Sequence, residues 1–518
     1  MLTLSTLPPP REPLLAPRRL RAASALSGPE AKVHYDPALV RFTTDPTGSP
    51  TLAVPPSIDT GLYSGHFKEP AVSTPTPSPF WEQVGLIPPP GYGVSIGNNA
   101  SLEFVMGVRS RDLDINVSDA VRDFSIGFVA SLLSGELTTP LPLGQIEITA
   151  QGASGRGYEC CRTKERALIE HWDYVSTYVR SYASMPPPLF TYMHKAGEVL
   201  TSQKVASQVR PIIFPPLHFY CLQKVHTQLL DDRIKASPAW FSYGKSVLRD
   251  HFTVVARKLQ SYNYLFKGDC TKFDSSIGPW AFGVVRDIRK ALAHSSSHEA
   301  LDFIYDALSL KLVQLPTTHV VRDTRQPSGQ ACTTSDNSLF HAFVIAGAYA
   351  THFLEKKGRL PRHYEVHDAL GVFLYSDDHI GATDDAEFAL YSTRSRLYLQ
   401  FGCILKKDDD QVGGFLSEYT YLGGALTPHP MFPDNWCYLY NDPLLLRLLP
   451  LQCLRSSQAE IAQALRSYAI LLAPSPERYA ELSALICHLK TLPGWHVDIP
   501  YPSRDVVLSS YFELESSV

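Results

Sequence analysis

The sequence predicts an α+β protein that combines an antiparallel sheet with many helices, and three observations support this. Residues 371–383 form two apolar, β-prone runs around a short polar break, which is the pattern of an antiparallel hairpin. From about residue 100 to residue 250, helical and extended patterns alternate without the regular rhythm of a parallel βαβ fold. Beyond Asp442-Pro443 the pattern is mainly helical, which indicates a separate helical lobe.

Length and composition fit this architecture. The 518 residues are 44% hydrophobic, which suffices for a large core and for about two to four lobes. The net charge of −4 gives no global sign of nucleic-acid binding, so any basic surface must be local. The nine cysteines are scattered without a C-x-x-C pair, which indicates a reducing compartment. The adjacent Cys160 and Cys161 suit neither a zinc knuckle nor an ordinary disulfide.

Residues 1–95 form a distinct segment. They hold 18 of the 41 prolines, which predicts an extended or disordered extension that straps across the folded body. Arginines near the start resemble an organelle-targeting bias, but the prolines oppose the amphipathic helix that such a signal needs. The sequence contains neither a secretory signal nor an apolar run of ~18 residues, so we expect neither secretion nor a transmembrane helix.

The elements after this extension are predicted in chain order. Residues 165–183 have a helical pattern that is stopped by Pro186 and its neighbours, and residues 263–270 form a short apolar strand that ends at a carboxylate. Residues 336–354 repeat apolar side chains at helical spacing. A later helix opens with Ser475 as its N-cap and a proline at the first helical position.

Three short polar clusters stand at the ends of these elements. Asp269 closes the predicted strand, and Asp274 follows it past a turn. The hairpin carries two adjacent carboxylates, Asp377 and Asp378, in its tight turn. The third cluster lies in the sequence between these two. It is a loop of small and polar residues that leads into the apolar helix and contains Ser328, Gly329, Thr333 and Asn337. A solvated turn explains any one cluster, but it does not explain the three together.

The chemistry that needs such a set is nucleotidyl transfer by two metal ions. Two Mg²⁺ ions ~3.5–4 Å apart must contact both the attacking 3′ oxygen and the leaving pyrophosphate. Mg²⁺ prefers hard oxygen ligands, and Asp269 and Asp377 on neighbouring strand ends would supply the bridging carboxylates. The prediction therefore requires carboxylates more than a hundred positions apart in sequence to converge.

These clusters resemble the motifs of viral RNA-dependent RNA polymerases of the right-hand type, near the picornavirus-like and double-stranded-RNA-virus groups. The family's motif A is Asp, four residues, Asp, matched by Asp269 and Asp274. Its motif B is Ser-Gly followed by Thr and Asn, matched within residues 328–337, and its motif C, usually Gly-Asp-Asp, reads Ser376-Asp377-Asp378 here. The resemblance covers roughly residues 195–425. It implies a right-hand polymerase fold with an antiparallel palm sheet, fingers and a mainly helical thumb.

The resemblance also implies a cofactor and catalytic roles. Asp269, Asp377 and Asp378 would bind two Mg²⁺ ions, with Mn²⁺ as the alternative. Motif C departs from the family at the serine, which at a turn with positive φ would cost on the order of 1–3 kcal/mol relative to glycine. In motif D of the family a lysine protonates the departing pyrophosphate, and Lys406 and Lys407 are equal candidates for it.

Substrate contacts follow from the same resemblance. The ribose 2′-OH would bond Asp274 and Asn337, with Ser328 or Thr333 in support and Gly329 in the same loop. A site built around a hydroxyl rejects the analogue that lacks it, because its polar partners are left unpaired.

The basic fingers segment of the family, motif F, holds the incoming triphosphate. Here Lys204 and Arg210 fit that role, in a segment that also contains Lys195 and Glu198. Residues 414–417 would form motif E against the primer backbone, and residues 151–155 would form motif G on the template path.

Two alternative functions remain open. The first is a reverse transcriptase, because residues 375–378 also fit that family's Tyr-x-Asp-Asp pattern, although Asp274 and Asn337 together favour ribonucleotides. The second is a catalytically inactive palm that acts as an RNA-binding or capsid-associated scaffold, which the intact aspartates argue against.

The predicted domains and partners complete this hypothesis. Residues 1–95 would be the proline-rich extension, 96–262 the fingers, 263–425 the palm with motifs A–E, and 426–518 the helical thumb. The expected partners are the RNA template, the product duplex and nucleoside triphosphates, with capsid or other replication proteins as further candidates. We expect synthesis in the host cytoplasm, in a replication complex or a virion.

Overall fold

The computed structural model describes residues 114–510 with short gaps, together with Arg109 and parts of the proline-rich extension. The gaps are at 151, 159–160, 162, 186, 196, 206–208, 247–249, 316–319, 408–410, 441, 454–456 and 500–502. Of the extension, it describes residues 81–82 and 85–95 and the backbone of the strands Leu2–Thr3, Arg41–Thr44 and Pro50–Ala53. Within the described residues, no helix combines the length and the apolar character needed to cross a membrane.

A four-stranded antiparallel sheet contains the predicted hairpin. Strand Leu370–Tyr375 pairs with Asp378–Thr383, whose other side pairs with Tyr264–Asp269, and Gln411–Val412 follows at the edge. The first hairpin strand is buried from its start to its penultimate residue, which explains why its sequence is continuously apolar rather than alternating. The predicted hairpin and the predicted strand over 263–270 are therefore both confirmed.

The hairpin turn differs in one detail from the prediction. Tyr375 pairs with Asp378, so the turn itself consists of Ser376 and Asp377. Asp378 is already the first residue of the returning strand, not a residue of the turn. The two adjacent carboxylates therefore belong to different secondary structure: Asp377 lies in the turn and Asp378 in the sheet.

The long helix Thr333–Lys357 is buried over most of its length and packs beside this sheet. Its apolar side chains belong to the main core, together with those of helices Asp119–Leu132 and Pro279–Leu292. It begins three residues before the predicted 336–354 and ends at Gly358, whose φ of 68° makes it a left-handed cap. The predicted helix is therefore confirmed, and its first turn carries the polar residues of the preceding loop.

Two further sheets and two short strand pairs complete the described β-structure of the body. One sheet has the order Val320–Asp323, Lys311–Gln314, Leu189–His194 and Pro211–Phe214, and its two inner strands are parallel. The other consists of Thr420–Tyr421, Gly424–Pro428 and Trp436–Tyr440. Tyr92–Val94 pairs with Val199–Thr201, so the end of the proline-rich extension lies against the body. A short pair joins Leu2–Thr3 to Glu147–Ile148.

The remaining helices of the body surround these sheets. The helix predicted over 165–183 is divided at His171, whose φ of −124° interrupts it. The helices are Lys164–Glu170, Trp172–Ser181, Ser202–Val205, Leu217–Ala236, His251–Gln260, Phe273–Ser276, His298–Ser309, His363–Ala369, Ala386–Ala389 and Tyr391–Gln400.

The C-terminal part is helical and has a core of its own. Its helices are Leu449–Gln452, Gln458–Leu472, Pro476–Thr491 and Arg504–Ser510. The Ser475 side chain accepts a hydrogen bond from the N–H of Arg478, which confirms the predicted N-cap.

Candidate active site

Three aspartates meet at one end of the antiparallel hairpin sheet. Asp269 is the last residue of its strand and lies directly opposite Asp378, the first residue of the returning hairpin strand. Directly opposed residues on neighbouring antiparallel strands project from the same face of the sheet. Asp377 stands one residue earlier, in the turn. Asp269 and Asp377 are therefore both neighbours of Asp378.

The negative charges of Asp269 and Asp377 make ionisation of the neighbouring Asp378 carboxyl less favourable. Burial raises the pKa of Asp378 to about 6, although the N–H of Leu422 opposes this by donating to Oδ2 at 2.6 Å. The charges of Asp269 and Asp377 contribute to this raised pKa of Asp378. A divalent cation would stabilise the ionised form of each group, and carboxylate oxygens are its preferred ligands. The residues present therefore fit oxygen-ligated metal ions.

Lys406 faces this cluster. Its Nζ donates to Oδ2 of Asp269, and its backbone N–H donates to the carbonyl of the same residue at 2.9 Å. An antiparallel bridge between Cys270 and Leu405 holds the two segments side by side. Lys407 is exposed. The structure thus distinguishes two lysines that were equivalent in the sequence.

Ser376 holds the turn that carries Asp377, with a φ of 58°. Its N–H donates to Oγ of Ser338 at 2.9 Å, its carbonyl lies 2.9 Å from Nδ1 of His341, and its Oγ accepts from Nδ2 of Asn337 at 3.0 Å. Such bonds contribute about 0.5–1.5 kcal/mol each, which is comparable with a strain of about 1–3 kcal/mol for a non-glycine residue here. The hydroxyl, which glycine lacks, links the turn to the long buried helix.

Asn337 joins the turn to Asp274, the second aspartate of the predicted motif A. It is 2% exposed, and besides its bond to Ser376 its Nδ2 donates to Oδ1 of Asp274 at 2.9 Å. Its Oδ1 accepts from Nε2 of Gln326 at 2.9 Å. Burial raises the pKa of Asp274, the bond from Asn337 lowers it, and the charge of Asp377 raises it. Because Oδ1 only accepts and Nδ2 only donates, Gln326 determines which way the Asn337 amide faces.

The other polar residues of the motif B loop bind backbone groups. The Ser328 hydroxyl donates to a carbonyl of strand Pro211–Phe214 at 3.0 Å, and the Thr333 hydroxyl donates to the carbonyl of Pro327 at 2.9 Å. The N–H of Gly329 donates to the same strand at 2.8 Å, and a Cβ there would lie 2.7 Å from a side-chain atom of that strand. The close approach therefore requires glycine. These bonds hold the loop against the neighbouring sheet.

Arg210 lies within electrostatic reach of the acidic site. Its side chain is 67% exposed and pairs with Glu198, with Nε 3.1 Å from Oε2 and Nη2 against Oε1. The bond from Glu198 raises the pKa of Arg210, and the charges of Asp377 and Asp274 raise it further. Lys195 pairs with the same Glu198 at 2.8 Å. Glu198 thus holds two cations of the predicted motif F together.

The other predicted segments contribute less to this cluster. Lys204 is exposed on the short helix Ser202–Val205. In the predicted motif E, Gly414 has a φ of 85° and precedes Phe415, whose side chain is 75% exposed. In the predicted motif G, Gln151 lies outside the described residues. Gly155 has a φ of 82°, and a Cβ there would lie 2.7 Å from a backbone carbonyl oxygen.

Sequence reasoning missed two residues that support this site. Arg109 donates to Asp323 through Nε at 3.1 Å and through Nη2, and Nη2 also donates to the carbonyl of Gln326 at 3.0 Å. All three residues are buried. Arg109 and Gln326 are 217 positions apart, so no local pattern joins them. For Gln326, the available signal was its position directly before the Pro-Ser-Gly of motif B.

Comparisons with known proteins point to one family. The family model described as viral RNA-dependent RNA polymerase matches residues 149–435. Genome polyprotein 1 of Barley yellow mosaic virus (isolate Germany) is 38% identical over 92 residues, which are 18% of this chain and 4% of that polyprotein. Non-structural polyprotein 1AB of Turkey astrovirus 2 is 28% identical over 123 residues, 23% of this chain and 8% of the polyprotein. Non-structural polyprotein 1AB of Human astrovirus-5 is 24% identical over 235 residues, which are 43% of this chain and 16% of that polyprotein. The chain therefore spans a small part of each relative.

Proposed function

We propose, because this chain belongs to the viral RNA-dependent RNA polymerase family, that its aspartate cluster catalyses template-directed addition of ribonucleotides with release of pyrophosphate. The observation that carries the proposal is the position of Asp269, Asp377 and Asp378 at one end of an antiparallel sheet. All three residues lie within the region that the family model matches. Members of this family use divalent metal ions, for which the cluster has the appropriate ligands.

Asp269 and Asp377 would hold two Mg²⁺ ions, or Mn²⁺, with Asp378 assisting. Ions bound there supply positive charge to the attacking 3′ oxygen and to the leaving pyrophosphate. The raised pKa of Asp378 supports this assignment, because burial and then the charges of Asp269 and Asp377 disfavour its ionised form, which a bound cation would stabilise. The N–H of Leu422 would keep the Asp378 carboxylate in one orientation.

Lys406 would protonate the departing pyrophosphate. Its ion pair with Asp269 supports the choice of Lys406 over the exposed Lys407, because a general acid must reach the reacting atoms. Arg210 and Lys204 would bind the triphosphate. The fork of donors of Arg210 suits phosphate, and its side chain is exposed enough to exchange Glu198 for a more highly charged ligand.

Asp274 and Asn337 would recognise the ribose 2′-OH. The hydrogen bond between them and the burial of Asn337 support this. A ribose hydroxyl entering there can pair with these polar groups, which a deoxyribose would leave unpaired. An unpaired buried polar group costs about 1–3 kcal/mol, which is the discrimination available. Ser328, Gly329 and Thr333 would support the pocket by holding the loop through their backbone contacts.

We further propose the arrangement of a right hand, with fingers over 96–262, palm over 263–425 and thumb over 426–518. The aspartate-bearing sheet and the separate core of the helical C-terminal part support this division. The partners would be template and product RNA and nucleoside triphosphates, with capsid or other replication proteins in addition. Synthesis would take place in the host cytoplasm.

The two alternative functions are less well supported. The family match and the polyprotein relatives favour an RNA polymerase over a reverse transcriptase. An inactive scaffold would not need three neighbouring carboxylates, one of which has a pKa raised by burial and by the charges of the other two.

The test is primer extension with ribonucleotides, Mg²⁺ and an RNA template, comparing wild type with Asp377→Ala. We expect synthesis by the wild type and its loss in the variant, because a metal ligand is removed. Asp368→Ala is the matched control, since that side chain is 75% exposed and lies on the helix His363–Ala369, away from the turn that carries Asp377. Near-normal synthesis by Asp377→Ala would refute the assignment. Retained RNA binding without synthesis by the wild type, with either Mg²⁺ or Mn²⁺, would favour the scaffold.

A further inference from the structure

A second cluster of metal-binding side chains lies in the helical region before the predicted motif F. Cys161, Glu170 and His171 each offer one ligand atom, and these three atoms all lie within 4.8 Å of one another. The Sγ of Cys161 donates to Oε2 of Glu170 at 3.2 Å. This set combines sulfur, oxygen and nitrogen, unlike the all-oxygen set of the candidate active site.

The local backbone brings these three side chains together. Cys161 lies shortly after the turn at residues 156–157, and its N–H donates to the carbonyl of Tyr158 at 2.8 Å. Glu170 is the last residue of helix Lys164–Glu170, and His171 forms the bend to the next helix. The bend explains why the helix predicted over 165–183 is interrupted. The interruption places two ligands at one corner, against the preceding turn.

Neighbouring groups orient the ligands. Nε of Arg166 donates to Oε1 of Glu170 at 2.6 Å, which leaves Oε2 directed to the thiol. The ring of Tyr158 packs edge-on against His171, with centroids 5.3 Å apart. Cys161 is 2% exposed, whereas Glu170 and His171 are half-buried, so an ion could reach the site from one side. Partners of this kind commonly orient the ligands of a metal.

We infer that Cys161, Glu170 and His171 form a second metal site, for a zinc-class divalent cation. Zn²⁺ accepts sulfur, nitrogen and oxygen ligands at about 2.0–2.3 Å, so tetrahedral ligand atoms lie about 3.3–3.8 Å apart. The observed separations need only small side-chain movements to reach this. On binding, the Cys161 thiol releases its proton to solvent, and the thiolate and the Glu170 carboxylate together balance the two positive charges. Water would complete the coordination.

The site would stabilise a specific part of the fold. The Oγ of Ser154 donates to the carbonyl of Cys161 at 2.6 Å, and the carbonyl of Ser154 accepts from the N–H of Leu217 at 2.9 Å. A metal held by Cys161 would therefore link the helix corner to the loop around Ser154 and to helix Leu217–Ala236. The inference does not depend on the polymerase assignment, because metal content and spectra report on it directly.

The experiment is cobalt titration of the full chain after treatment with a chelator. Co²⁺ occupies zinc sites and gives a thiolate charge-transfer band when a cysteine binds it. We expect the charge-transfer band of the wild type to saturate at one thiolate-bound cobalt per chain, apart from any cobalt held by the aspartate cluster. We expect loss of that band in Cys161→Ser and at least tenfold weaker binding at this site in His171→Ala. Added Zn²⁺ should displace the cobalt and raise the melting temperature of the wild type but not of Cys161→Ser.

Two control variants make the result specific. Cys487→Ser removes an exposed thiol and should leave the titration unchanged. Cys160→Ser, at a position outside the described residues, should retain the charge-transfer band. The inference is overturned if the wild type takes up no more cobalt than Cys161→Ser, or if Cys160→Ser alone abolishes the band. It is also overturned if His171→Ala binds cobalt as tightly as the wild type while its circular dichroism spectrum shows that it is folded like the wild type.

Discussion

Replacing Gln326 with methionine should weaken the discrimination between ribonucleotides and deoxyribonucleotides. Gln326 is fully buried, and its Nε2 donates to Oδ1 of Asn337 at 2.9 Å. Methionine has a similar volume but no donor, so packing is retained while this bond is lost. The backbone N–H of Gln326 bonds the carbonyls of Asp274 and Ile277, and these bonds remain in the variant.

The size of the loss in ribose preference follows from the Asn337 amide, which stays buried in the variant without its partner Gln326. Without Gln326, Oδ1 of the buried Asn337 becomes an unsatisfied acceptor, which costs about 1–3 kcal/mol. The amide can avoid that cost by turning, but its Nδ2 then no longer donates to Asp274 and Ser376. One to three kcal/mol corresponds to about a 5- to 150-fold change in the population of the oriented amide. The ribose preference should fall by a factor within this range.

The assay is single-nucleotide extension, with kcat/KM measured for a ribonucleotide and for its deoxy analogue. Gln228→Met is the matched control, because it removes a buried glutamine whose Oε1 accepts from a backbone N–H at 2.6 Å outside the site. A folded Gln326→Met enzyme with unchanged preference would refute the orientation argument. If Gln228→Met lost as much preference, the cause would be general destabilisation.

Three further predictions concern the lysine that we propose as the general acid, the turn and the acid stability of the fold. Lys406→Ala should slow nucleotide addition by about 10²–10⁴-fold, because it removes the proposed general acid that pairs with Asp269. Lys407→Ala should keep a rate near that of the wild type. Equal losses of rate in the two variants would contradict the proposed role of Lys406. Ser376→Gly should change the free energy of unfolding by less than about 1 kcal/mol in urea unfolding, since relief of backbone strain offsets the lost hydrogen bond. The same variant should have a lower ribose preference in the extension assay, because the Asn337 amide loses its bond to the Ser376 hydroxyl. An unchanged ribose preference would contradict this prediction. Burial lowers the pKa of His218 to about 3, below its ordinary 6.5, so its contribution to stability is present above pH 6.5 and is lost as pH falls. Between pH 6 and 4 the free energy of unfolding should therefore fall about 1.4 kcal/mol per pH unit more steeply in wild type than in His218→Phe, and parallel slopes in urea unfolding would show that His218 is not held neutral.

Local patterns in the sequence were sufficient for the main elements near the site. The apolar runs around Ser376, the strand that ends at Asp269 and the helix that follows motif B were all predicted, because each depends on spacing within a few residues. The boundaries were less accurate. The helix predicted over 165–183 is bent at His171, and Asp378 belongs to a strand rather than to the turn.

By itself, the sequence determined the identity and spacing of the motif residues, and these were enough to predict the family and the chemistry of the acidic cluster. The tertiary structure alone decided which groups meet across long separations. It paired Asp269 with Asp378, brought Lys406 rather than Lys407 into contact with Asp269, and bonded Arg109 to the backbone of Gln326. The physical reason is that hydrogen bonds and ion pairs between distant segments depend on strand register and helix packing, and neither leaves a periodic signal in the local sequence.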